Sequence, residues 1–129
     1  MSIINFTNHP SDLWGEKQKS EALKYGEIID IPFPKIDAGL DEEEIKNMAF
    51  EYLKKIYVLK PKAVICQGEF TLVYAVVTAL REKGVKVLSA CSERKVKETI
   101  MDDGTVQKTA IFDFVKFREY TEVSLCQKI

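Results

Sequence analysis

Apolar and polar positions divide the chain into short apolar runs and longer amphipathic ones. The run "SIINF" gives way to the polar loop "TNHPSD", which predicts a first strand and the opening of a helix, with Ser11 or Asp12 as its cap. That helix would reach about Tyr25, take apolar contacts from Trp14, Ala22, Leu23 and Tyr25, and stop at Gly26. "EIIDIPFP" predicts a second strand that its two prolines must end. The clearest helix follows Asp41, which can cap it together with Glu44, and it shows one apolar face built from Ile45, Met48, Ala49, Tyr52, Leu53 and Ile56. Pro61 ends it.

"KAVIC" reads as a third strand, "FTLVYAVVTALREKG" as a third helix stopped by Gly84, and "VKVLSAC" as a fourth strand. The third helix carries β-branched residues that would also suit a strand, but its length and the terminal "REKG" favour helix. Between Phe70 and Leu80 it is apolar nearly all round, so something must cover its outer side, either a second subunit or loops of the same chain. After "CSERK", two β-like runs flank "DDG" and predict a C-terminal hairpin over residues 95–120.

Successive βα units with short connections imply an α/β fold: a Rossmann-like three-layer sandwich with a four-stranded parallel sheet, order 2-1-3-4, and the hairpin as an extension. With 129 residues, 46% of them hydrophobic, the chain makes one domain, with a core over residues 1–94. In a sheet wound in that order, ligands bind beyond the strand ends where the winding reverses. The loops "TNHPSD" and "QGEFT" would meet there.

Charge narrows the partners. With 19 basic against 20 acidic residues, the chain has no excess for coating duplex nucleic acid. No run approaches the ~20 apolar residues of a membrane helix, and no leader pattern is present, so the expectation is a soluble cytoplasmic protein. Cys66, Cys91 and Cys126 show no zinc or disulfide spacing, and Cys66, closing a strand, reads as packing rather than as a nucleophile. No metal site and no cofactor is expected, since P-loop, GxGxxG, HExxH and GxSxG patterns are all missing.

The loops hold the candidate chemistry. Gly68 allows a tight turn or a close backbone approach to a ligand, and the amides opening the third helix suit a phosphate. Glu69 would repel an anion there and better suits a ribose hydroxyl or an adenine amino group; equally, Gln67 and Glu69 can be local hydrogen-bond partners in an ordinary turn. His9 is the single histidine, in position either to move a proton or to serve structure. Arg94, in the stretch "SACSERK", is either a phosphate clamp or part of a solvated turn.

The stretches "INFTNHPSDLW" and "CQGEFTLVYAVVTALREKGVKVLSACSER" resemble the compact CARF-like proteins of type III CRISPR systems (CRISPR-associated Rossmann fold), including stand-alone ring nucleases. The likeness covers the order of elements over roughly residues 1–95. It implies a homodimer, formed through helix 70–83 or the hairpin, that binds cyclic oligoadenylate, taken here as cyclic tetra-adenylate, across its two-fold axis. It further implies metal-independent cleavage by ribose 2′-hydroxyl attack, ending an antiviral signal. On these terms His9 and Ser11 are the catalytic candidates, and Thr7, Asn8, Gln67, Gly68, Glu69, Thr71 and Arg94 the ligand-binding ones.

Three other functions compete with this one. A small nucleoside or nucleotide enzyme of deoxyribosyltransferase-like plan would use Glu69 as nucleophile. A non-catalytic nucleotide sensor would bind without cleaving. An interaction module would dock through the third helix and the hairpin.

Overall fold

The structure, a computed structural model, describes residues 1–128. Two strands, β1 (Ser2–Phe6) and β3 (Ala63–Cys66), are buried along their whole length and form the centre of the sheet. β1 pairs in parallel with β2 (Glu27–Asp30) on one side and with β3 on the other, and β3 pairs in parallel with β4 (Lys86–Ile100). β4 pairs antiparallel with β5 (Val106–Glu119), giving a five-stranded sheet in the order β2-β1-β3-β4-β5.

Side-chain alternation along the strands feeds two cores. Ile4, Phe6, Val64, Cys66 and Val87 face α2 (Glu42–Tyr57) and α3 (Phe70–Glu82). Ile3, Ala63, Ile65 and Leu88 face the other way, towards α1 (Glu16–Leu23), with Trp14 and Ala22. The expected caps hold at α2, where Asp41 and Glu44 form a reciprocal capping box, and at the end of α3, where Gly84 has φ 79°. A last turn, α4 (Leu125–Lys128), closes the described chain. No helix among the described residues is long and apolar enough to cross a membrane.

Three expectations need correction. The sheet is mixed and five-stranded rather than four-stranded and parallel, because the hairpin is not a separate extension: β4 runs unbroken through "SERKVKETI", past the expected boundary at residue 94. Only "SERK" was expected as a turn, between a fourth strand and the first run of the hairpin; the two are one strand. A strand whose edge is satisfied by a partner needs no apolar face, and from Ser92 to Ile100 every residue of β4 is exposed. The turn is a three-residue loop in which Gly104 takes φ 86° and the Met101 amide donates to the Thr105 carbonyl at 2.8 Å.

Neither Ser11 nor Asp12 caps α1. Residues Ser11–Leu13 make a 3-10 turn, Trp14 is extended, and α1 starts after Gly15 without a side-chain cap. The break lets Trp14 drop onto the sheet, where it is 5% exposed.

Candidate functional site

Beyond the C-terminal ends of β1 and β3 lies a cleft of about 970 Å³. The sheet supplies its floor through Ile65 and Ala90, Trp14 and Gln18 form one wall, and Phe112 to Phe114 of β5 form the other. Thr7, Asn8, His9, Gln67 and Gly68 close its end, so both anticipated loops do converge on one space.

A hydrogen-bond network centred on buried Asn5 fixes the first loop. Asn5, 1% exposed, donates through Nδ2 to the His9 carbonyl (2.9 Å) and to Asp30 Oδ1 (3.0 Å), and its Oδ1 accepts from Thr7 Oγ1 (2.8 Å). Trp14 Nε1 also donates to the His9 carbonyl, at 3.1 Å. Thr7 Oγ1 in turn accepts from the His9 amide at 3.1 Å. Ser11 donates its amide (3.1 Å) and its hydroxyl (3.0 Å) to Asp30 Oδ2. Thr7 and Ser11 therefore hold the loop, and Ser11 stands outside the cleft lining. His9 and Asn8 are exposed on this fixed backbone.

In the second loop Gln67 and Glu69 are local hydrogen-bond partners, the ordinary-turn alternative of the two readings. Gln67 Oε1 accepts from the Ala90 amide at 2.8 Å, extending by a side chain the β3–β4 ladder whose last backbone pair is Ile65 with Leu88. Gly68 is required by packing: a Cβ there would lie 2.5 Å from the Phe33 ring, and Phe33 is itself wedged against Phe6 at a ring-centroid distance of 4.9 Å. Gly68→Ala is expected to cost about 1–3 kcal/mol, as overpacking does, measurable as a lower urea midpoint with an unchanged slope.

Glu69 is the N-cap of α3. Its oxygens accept from the Thr71 amide (2.9 Å), the Leu72 amide (3.0 Å) and the Thr71 hydroxyl (2.7 Å to the nearer oxygen). The helix-opening amides that suited a phosphate are thus already occupied by this carboxylate, and neither Glu69 nor Thr71 lines the cleft. The Thr71 hydroxyl, then the Thr71 and Leu72 amides, hold the Glu69 carboxyl below its ordinary value of 4.5.

Because the folded state favours the ionised form, the cap contributes fully above the unfolded carboxylate range and is lost as pH falls through the depressed value. Glu69→Ala should lower stability by about 0.5–2 kcal/mol at pH 7. Urea titrations repeated at falling pH should show the gap from the parent protein narrowing below that range.

Arg94 lies on β4 opposite Phe112, exposed and away from the cleft lining, because the stretch expected to be a loop is strand. Cys66 is fully buried, and burial pushes its thiol up to about 12, so it packs and carries no thiolate chemistry. The cysteines are free thiols.

Sequence reasoning passed over Gln18, Phe112 and Phe114. Gln18 had a signal: Trp14, Gln18 and Ala22 recur every four residues down one buried stripe, and a polar residue between two apolar ones on such a stripe has a reason to be there. The phenylalanines had none, since only the hairpin's placement brings them to the cleft.

Residues 1–118 match the family described as "Uncharacterized protein MJ1673 family". The chain belongs to this family. No curated protein matches the chain. The stretch shared with the MJ1673 family takes in all the cleft-lining residues, from Asn5 to Phe114.

Proposed function

We propose that the cleft binds a cyclic oligoadenylate and that the protein is a CARF-like ring nuclease of Rossmann-like, three-layer plan, working in the cytoplasm. The observation that carries this reading is the convergence of residues 7–9 and 67–68 on one open cleft at the point where the sheet order reverses. Exposed Phe112, across the cleft from the Gln18 carboxamide and with Gln67 at the cleft's end, suits stacked and hydrogen-bonded bases.

The chemistry follows from the substrate. A ribose 2′-oxygen attacks the adjacent phosphorus, the bond from phosphorus to the 5′-oxygen breaks, and a linear product with a 2′,3′-cyclic phosphate and a 5′-hydroxyl is released. His9 takes the proton from the 2′-hydroxyl or supplies one to the leaving 5′-oxygen. Asn8 and Gln67 hold the sugar and phosphate, and Ser11 acts only through the loop it anchors. A homodimer would use the outer face of α3, where Phe70 is 87% and Tyr74 71% exposed, or the hairpin.

Charge in the lining supports a second reading, the sensor. Lys17 stands against Glu16 and Asp113, which leaves no net attraction for several phosphates and suits binding through bases more than stabilising a transition state. The nucleoside-enzyme alternative lacks support, since Glu69 is bound to its own helix.

Labelled cyclic tri-, tetra- and hexa-adenylate incubated with the protein and a chelator test both readings. Ring opening to the cyclic-phosphate product is the expected result. Binding alone would make the protein a sensor, and intact, unbound rings would overturn the proposal.

A further inference from the structure

Among the cleft-lining residues described, Gln18 combines burial with an uncommitted polar group. It is 8% exposed, sits in the first turn of α1, and lines the cleft. The other buried polar residue there, Asn5, is fully engaged. No hydrogen bond within the described residues reaches the Gln18 carboxamide, yet no sealed side-chain nitrogen or oxygen lacks a partner, so its two polar atoms open into the cleft. A carboxamide held so far in, without a protein partner, pairs with whatever fills the cleft: water when it is empty, and a ligand with matching groups when it is occupied.

The surroundings limit what that occupant is. Across the cleft, Phe112 and Phe114 offer apolar ring surface. Gln67 has already given its oxygen to the Ala90 amide; Asn8 also brings a carboxamide to the lining, but an exposed one, which leaves Gln18 as the buried carboxamide with both a donor and an acceptor to offer. A flat ring with a donor next to an acceptor satisfies both at once, and adenine presents this pair in its 6-amino group and the neighbouring ring nitrogen. A neutral carboxamide also makes the recognition independent of charge.

We propose that Gln18 reads the base: Oε1 accepts from the adenine 6-amino group, Nε2 donates to the adjacent ring nitrogen, and the phenylalanines pack on the ring. This rests on the nucleotide reading of the cleft and names the residue that would make it specific for adenine.

Calorimetric titration of cyclic tetra-adenylate, and of the same ring carrying unsubstituted purine, tests the assignment. The parent protein should prefer the adenine ring by about five- to 150-fold, the span of one bidentate base contact. Gln18→Met keeps the volume and should bind both rings equally, at the weaker affinity, with an unchanged circular dichroism spectrum. Equal affinity of the parent protein for the two rings would overturn the proposal without any variant, and so would full discrimination by Gln18→Met; either leaves nucleotide binding intact. Failure of the parent protein to bind either ring would remove the nucleotide reading, and this assignment with it.

Discussion

Trp14→Ala should lower the stability of the fold by about 3–5 kcal/mol, the range for truncating a buried aromatic and leaving a cavity. The indole is 5% exposed and belongs to the smaller of the two cores, with Ile3, Ala22, Ala63, Ile65 and Leu88, and its ring lies 6.5 Å from that of Phe117. A core of this size has few other large side chains, so neighbouring groups can close little of the void. The loss is comparable with the net stability of a small domain, ~5–15 kcal/mol. Trp14→Phe retains most of the apolar contact but removes the Nε1 donor from the His9 carbonyl, and should cost about 0.5–1.5 kcal/mol more than the lost packing alone. Urea unfolding of the three proteins separates the two contributions. A Trp14→Ala protein within 1 kcal/mol of the parent would mean that the α1 face contributes far less than its burial implies.

His9→Ala should slow ring cleavage by about 100- to 10,000-fold, the usual worth of a positioned acid or base, and leave ring binding close to unchanged. The substitution is clean for a structural reason. Asn5 and Trp14 grip the carbonyl of residue 9, and Thr7 grips its amide, so the loop keeps its shape whatever the side chain. Single-turnover assays alongside binding titrations separate the two effects. Equal cleavage rates would remove His9 from the chemistry and leave the reaction to alignment of the 2′-hydroxyl alone. A matched loss of binding would show the imidazole to be a gripping group.

Much of this fold could be read from local patterning, because α2 and α3 carry their own signals: a capping box at Asp41, a glycine stop at Gly84, and apolar stripes at helical spacing. The meeting of the loops after β1 and β3 followed from topology, which short parallel connections restrict severely. Residues whose roles depend on long-range placement were not legible. Gly68 does line the cleft, but what demands a glycine there is the ring of Phe33, which lies where a side chain would be. Ser11 looked catalytic or capping, and instead it bonds Asp30, 19 residues away. Glu69 was the converse: its two readings differed only in where its oxygens point, and the amides of its own helix decided between them. Phe112 and Phe114 became wall residues only because β4 continues as a strand through charges that locally suggest solvent.

That continuity has a mechanical side. β4 begins beside β3 in the interior, with Val87 and Leu88 buried, and ends at the hairpin turn, so the ribbon bearing Phe112 and Phe114 is clamped at its root. The pairing slips register between Cys91 and Ser92, at the foot of the cleft. A bulge bends its strand and increases the local twist. The mouth of the cleft thus has a crease along one margin, and its width is set by the angle at which the ribbon leaves the sheet.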